Sequence, residues 1–97
     1  MYTIDKYPLT LIDTQSLILP RGARILTVQP QHETPVMWAL IDPEEPATEK
    51  YTIVMYGTGH PIGIDPGHYI STFQSYSGRY VFHVFTASVT PEGSLSS

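Results

Sequence analysis

Turn residues cut this chain into short runs, and that segmentation constrains the fold more than any other feature. Nine prolines and seven glycines are spread over 97 residues. No stretch between them keeps the 3.6-residue periodicity of an amphipathic helix, and the runs are rich in branched and aromatic residues. We therefore predict an all-β fold, a small antiparallel β-barrel or sandwich of about six or seven strands.

The runs give the predicted positions of the strands along the chain, within one domain. Strands are expected at residues 2–9, 16–19, 24–29, 36–42, 50–56, 69–76 and 79–86. Pro8 puts the first strand at a sheet edge or ends it, and Ser77-Gly78 is a turn that joins the last two strands as a hairpin. The domain is predicted to span residues 1–87, and the Ser/Thr/Gly-rich segment 88–97 is expected to be a flexible tail.

Two of the predicted strands are apolar on both faces. Every residue of 36–41 is apolar, and 80–85 is apolar or aromatic apart from His83. Successive side chains point to opposite faces of a sheet, so both faces of these strands need cover. A closed barrel, a sandwich packed on a partner or a dimer interface would each supply that cover. We expect a homo-oligomer, most simply a dimer.

Charge and composition narrow the partners. The net charge is −4, which argues against a nucleic-acid polymer as partner because such binding uses a basic stripe. No apolar run approaches the roughly 20 residues of a membrane helix, and the N-terminal residues do not form a signal-peptide pattern. With no cysteine in the chain, we expect a cytoplasmic protein that does not act at a membrane.

Catalytic and metal motifs are missing from the sequence. Ser71 and Ser75 lack the Gly-x-Ser-x-Gly context of a nucleophile elbow. The four histidines do not form the close His-x-His or His-x-x-x-His pairs of metal sites. We therefore predict a binding protein that is not an enzyme and holds neither a metal nor a cofactor.

The loop 57–61 is the most distinctive segment for binding. Gly57 and Gly59 flank Thr58, so the backbone can approach a ligand closely with its amides facing the ligand, and the hydroxyl can contact it. The alternative is an ordinary turn with His60 on the surface. Aromatic side chains suit stacking on a nucleobase, although core packing is their commoner role, and an arginine can pair with phosphate. The predicted ligand-binding residues are Trp38, Tyr56, Gly57, Thr58, Gly59, His60, Tyr69, Phe73, Arg79 and His83.

A set of segments in fixed order resembles a known group of proteins. The segments are 6–9, 19–23, 25–29, 38–43, 57–62, 72–74 and 81–85. Together they resemble a family of small phage and bacterial all-β proteins that has no assigned function. The resemblance covers about residues 2 to 86. Proteins of this kind are similar to phage anti-defence sponge proteins of the anti-CBASS or anti-Thoeris type.

That resemblance implies a function that fits the residues. A sponge binds a cyclic dinucleotide or a cyclic ADP-ribose isomer, which are immune signals, and keeps it from host effectors without cleaving it. If the chain is phage-encoded, it would act in the host cytoplasm. Two alternatives stay open. One is a protein-interaction module that inhibits a host protein through a strand edge or the acidic loop 44–49, and the other is a nucleotide-degrading enzyme.

Overall fold

Seven strands form two antiparallel sheets in the computed structural model, which describes residues 1–75 and 77–92. The strands are β1 (Thr3–Pro8), β2 (Thr14–Pro20), β3 (Arg24–Gln31), β4 (Thr34–Ile41), β5 (Thr48–Gly57), β6 (His68–Ser75) and β7 (Tyr80–Glu92). One sheet has the order β1-β4-β3 and the other β2-β5-β7-β6. Within the described residues the sheets do not close into a barrel. The all-β prediction is confirmed, and a sandwich is the form it takes.

Two hairpins are set by consecutive residues with positive φ. His32 and Glu33, at 52° and 67°, turn β3 into β4, and Ser77 and Gly78, at 58° and 87°, lie between β6 and β7. Two successive positive φ values define the type I′ turn, whose twist matches that of the paired strands. The predicted hairpin across Ser77-Gly78 is confirmed, and β1 is an edge strand that ends at Pro8 as its proline requires.

The connection 58–67 joins two strands that are not neighbours. β5 and β6 flank β7 and both run antiparallel to it, so β5 and β6 are parallel to each other. The connection therefore has to pass β7 to reach the start of β6. At its end Gly67 has φ +105°, and a Cβ there would lie 2.2 Å from the carbonyl oxygen of Thr86. Glycine is thus required where the connection meets β7.

The core lies between the two sheets and is built from alternate strand positions. Its largest fully buried side chains are Leu19, Val28, Met37, Ile53 and Val84. Ser71 ties the sheets together where β3 and β6 meet. Its hydroxyl donates to the carbonyl oxygen of Val28 at 2.7 Å and accepts from the amide of the same residue at 2.9 Å. Both buried backbone groups of Val28 are therefore satisfied by one side chain.

The last strand is longer than predicted. β7 continues to Glu92, and residues 88–92 pair with Thr48–Thr52 of β5, so this part of the expected tail is a strand. Val89 and Thr90 are branched residues that suit a strand, and the β5 ladder gives their backbone groups partners. The polar composition of residues 88–92 did not indicate that they would pair with β5. The remainder of the predicted tail, 93–97, lies outside the described residues.

The three-stranded sheet keeps a partly apolar outer face. In β4, Met37, Ala39 and Ile41 are buried in the core, whereas Trp38 and Leu40 alternate with them and stay half-buried. One chain therefore fully buries the face of β4 that carries Met37, Ala39 and Ile41, and it covers the face that carries Trp38 and Leu40 only in part. The dimer that would cover the outer face stays a prediction.

Candidate functional site

Four side chains form a hydrogen-bonded chain that runs from the loop after β5 across β7 to β6, and we call it the His83 relay. Thr58 Oγ1 lies 2.7 Å from His83 Nε2, and Thr72 Oγ1 lies 3.0 Å from His83 Nδ1. The hydroxyl of Tyr69 lies 2.8 Å from the same Thr72 oxygen. His83 alternates along β7 with the buried Val84, so the relay lies on the sheet face that points away from the core.

The relay has two directions when the imidazole is neutral. One ring nitrogen then donates and the other accepts. In the first direction Tyr69 donates to Thr72, Thr72 donates to His83, His83 donates to Thr58, and the Thr58 proton is left for a ligand. In the second direction every bond is reversed, and the Tyr69 proton is left instead. A ligand acceptor at either end therefore selects the tautomer of His83.

Three aromatic rings lie beside the relay on the same face. Tyr56 and Phe85 meet edge to face with ring centroids 6.2 Å apart, and Tyr69 meets Phe85 in the same way at 5.7 Å. Tyr56 is the register partner of His83. Tyr69 is 54% exposed, so part of its ring is available to another flat group.

A groove of about 450 Å³ opens at the Thr58 end of the relay, and we call it the Thr58 groove. It is lined by Gly57, Thr58, His60, Arg79, Tyr80, Val81 and Phe82. The imidazole of His60 lies over Gly57, where a Cβ would meet its ring at 3.2 Å. The glycine thus makes room for this ring. The groove brings together four of the predicted residues, namely Gly57, Thr58, His60 and Arg79.

The loop backbone does not have the predicted role. We expected its amides to face a ligand, but the amide of Thr58 donates to the carbonyl oxygen of Val81 and that of His60 donates to Gly57, each at 3.2 Å. These two donors are used within the fold. Gly59 has φ +90°, so it serves the turn itself. The loop therefore offers a hydroxyl and an imidazole, and its Thr58 and His60 amides are not available to a ligand.

Two predicted residues lie away from this face. Phe73 is 2% exposed and packs on Phe82, with ring centroids 5.6 Å apart, so its ring belongs to the core and offers no face to a ligand. Trp38 lies in β4, in the other sheet, and pairs with Lys6 and Thr27. Strand periodicity placed both aromatics on faces, but it did not tell which face the core would take.

A second cavity, of about 440 Å³, opens between the sheets at the other end of the relay. Strands β3, β5, β6 and β7 all contribute to it, and we call it the Arg24 cavity after its arginine. It is lined by Ala23, Arg24, Ile25, Leu26, Tyr51, His68, Tyr69, Ile70, Thr86 and Val89. Of these only Tyr69 was predicted as a site residue. The others are scattered along the chain, so no local motif marks them.

Tyr51 forms the inner wall of the Arg24 cavity. Its hydroxyl donates to the carbonyl oxygen of Ala23 at 3.0 Å. Burial raises the pKa of Tyr51 above its ordinary value of 10.0, and the negative charge and hydrogen bonding of Glu49 raise it further. The phenol is therefore held in its neutral, donating form, which fixes the start of β3 on β5.

Acidic side chains of the segment 44–49 make contacts within the chain. Glu45 pairs with Arg21 at 3.6 Å and accepts from the amide of Ala47, while Glu49 accepts from the amide of Gly22 at 3.2 Å. These contacts hold loop 43–47 against the turn between β2 and β3. They leave less of its charge free for a partner than the sequence indicated.

Across residues 1–75 and 77–92, no group of three or more His, Cys, Asp or Glu side chains is placed to hold a metal ion. In the same residues no helix is long and apolar enough to cross a membrane.

Fold and site together define a two-sheet β-sandwich with a histidine-centred polar chain on one sheet face and a cavity at each end of it. The family described as Domain of unknown function (DUF7352) matches residues 1–93, and the chain belongs to that family. No curated protein and no solved structure matches the chain significantly.

Proposed function

We propose that this protein binds a cyclic nucleotide signal at the Thr58 groove and the adjoining His83 face, and that it sequesters the signal intact. The observation that carries the proposal is the convergence of Arg79, His60 and Thr58 on one groove whose hydroxyl continues into the relay. The resemblance to phage anti-defence sponges supplies the biological role, which is to withhold a defence signal from its effectors.

Each part of a nucleotide has a matching group on this face. The guanidinium of Arg79 is exposed and suits a phosphate, to which it can donate two parallel hydrogen bonds. When His83 donates to Thr58, the relay leaves the Thr58 proton for an acceptor. The half-exposed Tyr69 ring is suited to stacking on a base. The net charge of −4 opposes anion capture at long range, so these local donors have to supply the attraction.

The state of His83 supports holding a ligand over transforming it. Both ring nitrogens are engaged by threonine hydroxyls, at 2.7 and 3.0 Å. Within the described residues neither nitrogen contacts a carboxylate, so the relay lacks the acidic member of a catalytic triad. In the relay His83 orients the threonine hydroxyls for a bound group.

Calorimetry tests the proposal with a panel of cyclic dinucleotides and cyclic ADP-ribose isomers. At least one member is expected to bind in stoichiometric amount. Thr58→Val and Arg79→Gln should each weaken binding by about 10-fold or more, as expected for losing a hydrogen bond to a charged group. Arg21→Gln is the matched control because that arginine pairs with Glu45 outside the groove.

Three outcomes would overturn the proposal. If calorimetry at micromolar protein gave no heat of binding with any panel member, the protein would not bind this class of nucleotide. If Thr58→Val, Arg79→Gln and Arg21→Gln bound the ligand with equal affinity, the Thr58 groove would not be the binding site. Recovery of hydrolysed nucleotide by mass spectrometry would replace sequestration with catalysis.

A further inference from the structure

The space between the sheets is open at one end because β6 stops short of its neighbour. His68, the first residue of β6, pairs with Thr86, whereas β7 continues to Glu92 with β5 as its partner. The Arg24 cavity lies at this opening. Its volume of about 440 Å³ falls in the range of small-molecule sites, which run from about 300 to 1,000 Å³.

The walls and the rim of this cavity differ in chemistry. Ile25, Ile70 and Val89 give it an apolar lining, with the ring of Tyr51 among them. Arg24 and His68 lie at the rim, on different sheets, and both are exposed. Within residues 1–75 and 77–92 neither side chain has an ion-pair partner. Glu49, the carboxylate beside Tyr51, accepts from the amide of Gly22.

We propose that the Arg24 cavity is a second binding site, for a small organic anion with a flat apolar body. The apolar body would displace water from the walls, and the anionic group would take the fork of Arg24, with His68 opposite. Tyr69, which also lines the cavity, adds an aromatic wall at its edge, while its hydroxyl contacts Thr72. This site shares Tyr69 with the proposed nucleotide face but requires neither Thr58 nor Arg79, so the two proposals can fail separately.

A pair of matched dyes tests the site directly. The probe is 1-anilinonaphthalene-8-sulfonate, and N-phenyl-1-naphthylamine is the same ring system without the sulfonate. The sulfonate dye should bind with increased fluorescence and at least about 10-fold more tightly than the neutral dye, which corresponds to one charge-assisted interaction. Amide shifts in a two-dimensional NMR spectrum should centre on residues 23–26, 68–70 and 86–89.

Variants decide whether the rim recognises the anion. Arg24→Gln should weaken the sulfonate dye by about 10-fold and leave the neutral dye unchanged. Arg21→Gln, three residues away and outside the cavity, should leave both dyes unchanged. Equal effects of the two substitutions, equal affinities for the two dyes, or shifts centred on the Thr58 groove would each overturn the proposal. Because no nucleotide is used, failure here is distinguishable from failure of the nucleotide proposal.

Discussion

The Thr58 groove and the Arg24 cavity use the same residue types and are built in different ways. Each holds an arginine, a histidine and a tyrosine, and the relay ends in Thr58 at one and in Tyr69 at the other. The groove is made by a loop and a hairpin of one sheet, whereas the cavity needs strands from both sheets. The groove therefore depends on local turns, and the cavity depends on how the sandwich is assembled.

The connection 58–67 gives the largest expected effect because its two ends differ in crowding. Gly59 and Gly67 both have positive φ, but a Cβ at Gly59 meets nothing within 4 Å, whereas at Gly67 it overlaps the backbone of β7. Gly67→Ala should lower the free energy of unfolding by about 2–5 kcal/mol, since overpacking adds to the strain. Gly59→Ala should cost about 1–2 kcal/mol, from strain alone.

Urea denaturation of both variants measures this difference. Similar losses of unfolding free energy would mean that the connection does not pass close to Thr86, which would contradict the described geometry at the cavity end.

Substitution of Ser71 gives the next largest expected loss of unfolding free energy. It should affect binding in the Arg24 cavity and leave binding at the Thr58 groove almost unchanged. Ser71→Ala leaves the buried amide and carbonyl of Val28 without their partner, at a cost of about 1–3 kcal/mol in unfolding free energy. It should also weaken dye binding in the Arg24 cavity by loosening β3 from β6. Nucleotide binding at the Thr58 groove should change little.

Ser75→Ala is the control for that substitution. Ser75 is also buried in β6, but within residues 1–75 and 77–92 its hydroxyl makes only a long contact, 3.5 Å, with Glu33. If the two alanine variants lost equal stability, Ser71 would not be the link between the sheets.

Substitution of Tyr51, at the wall of the Arg24 cavity, gives the smallest expected loss of unfolding free energy, and this loss should depend on pH. At pH 8, Tyr51→Phe should cost about 0.5–1.5 kcal/mol through the lost bond to Ala23. The raised pKa of Tyr51 means that the unfolded chain loses this proton first. The stabilisation is therefore complete below the unfolded pKa of 10.0 and is lost as the pH rises through the folded pKa.

The stability gap between wild type and Tyr51→Phe should accordingly shrink between pH 8 and alkaline pH above 10. Tyr7 also has a raised pKa, from burial and then Asp5, but it is present in both proteins and cancels in the comparison. Tyr2→Phe, at an exposed position, is the control. A gap that widened with pH would contradict the assigned direction.

The sequence predicts the groove better than the cavity for a physical reason. Strands and turns follow from local signals, so the sequence predicts the positions of the strands along the chain, the Ser77-Gly78 hairpin and the loop that begins at Gly57, but not the order of the strands in the sheets. Trp38 was harder because its strand is apolar on both faces, and alternation cannot tell which face the second sheet covers. Phe73 was harder because its neighbours on the core face, Ser71 and Ser75, are polar, so alternation does not mark that face as buried. Arg24 and His68 are 44 residues apart in the chain, and only the β3–β6 contact brings them to one rim.

Mass spectrometry of the small molecules that the protein carries tests the central claim most directly. The protein would be purified from cells that make cyclic nucleotide signals and then denatured to release whatever it holds. We predict recovery of one intact cyclic nucleotide in near-stoichiometric amount, and its loss from the Thr58→Val, Arg79→Gln double variant. Release of no nucleotide, release of only linear or hydrolysed products, or equal release from the double variant would contradict the account.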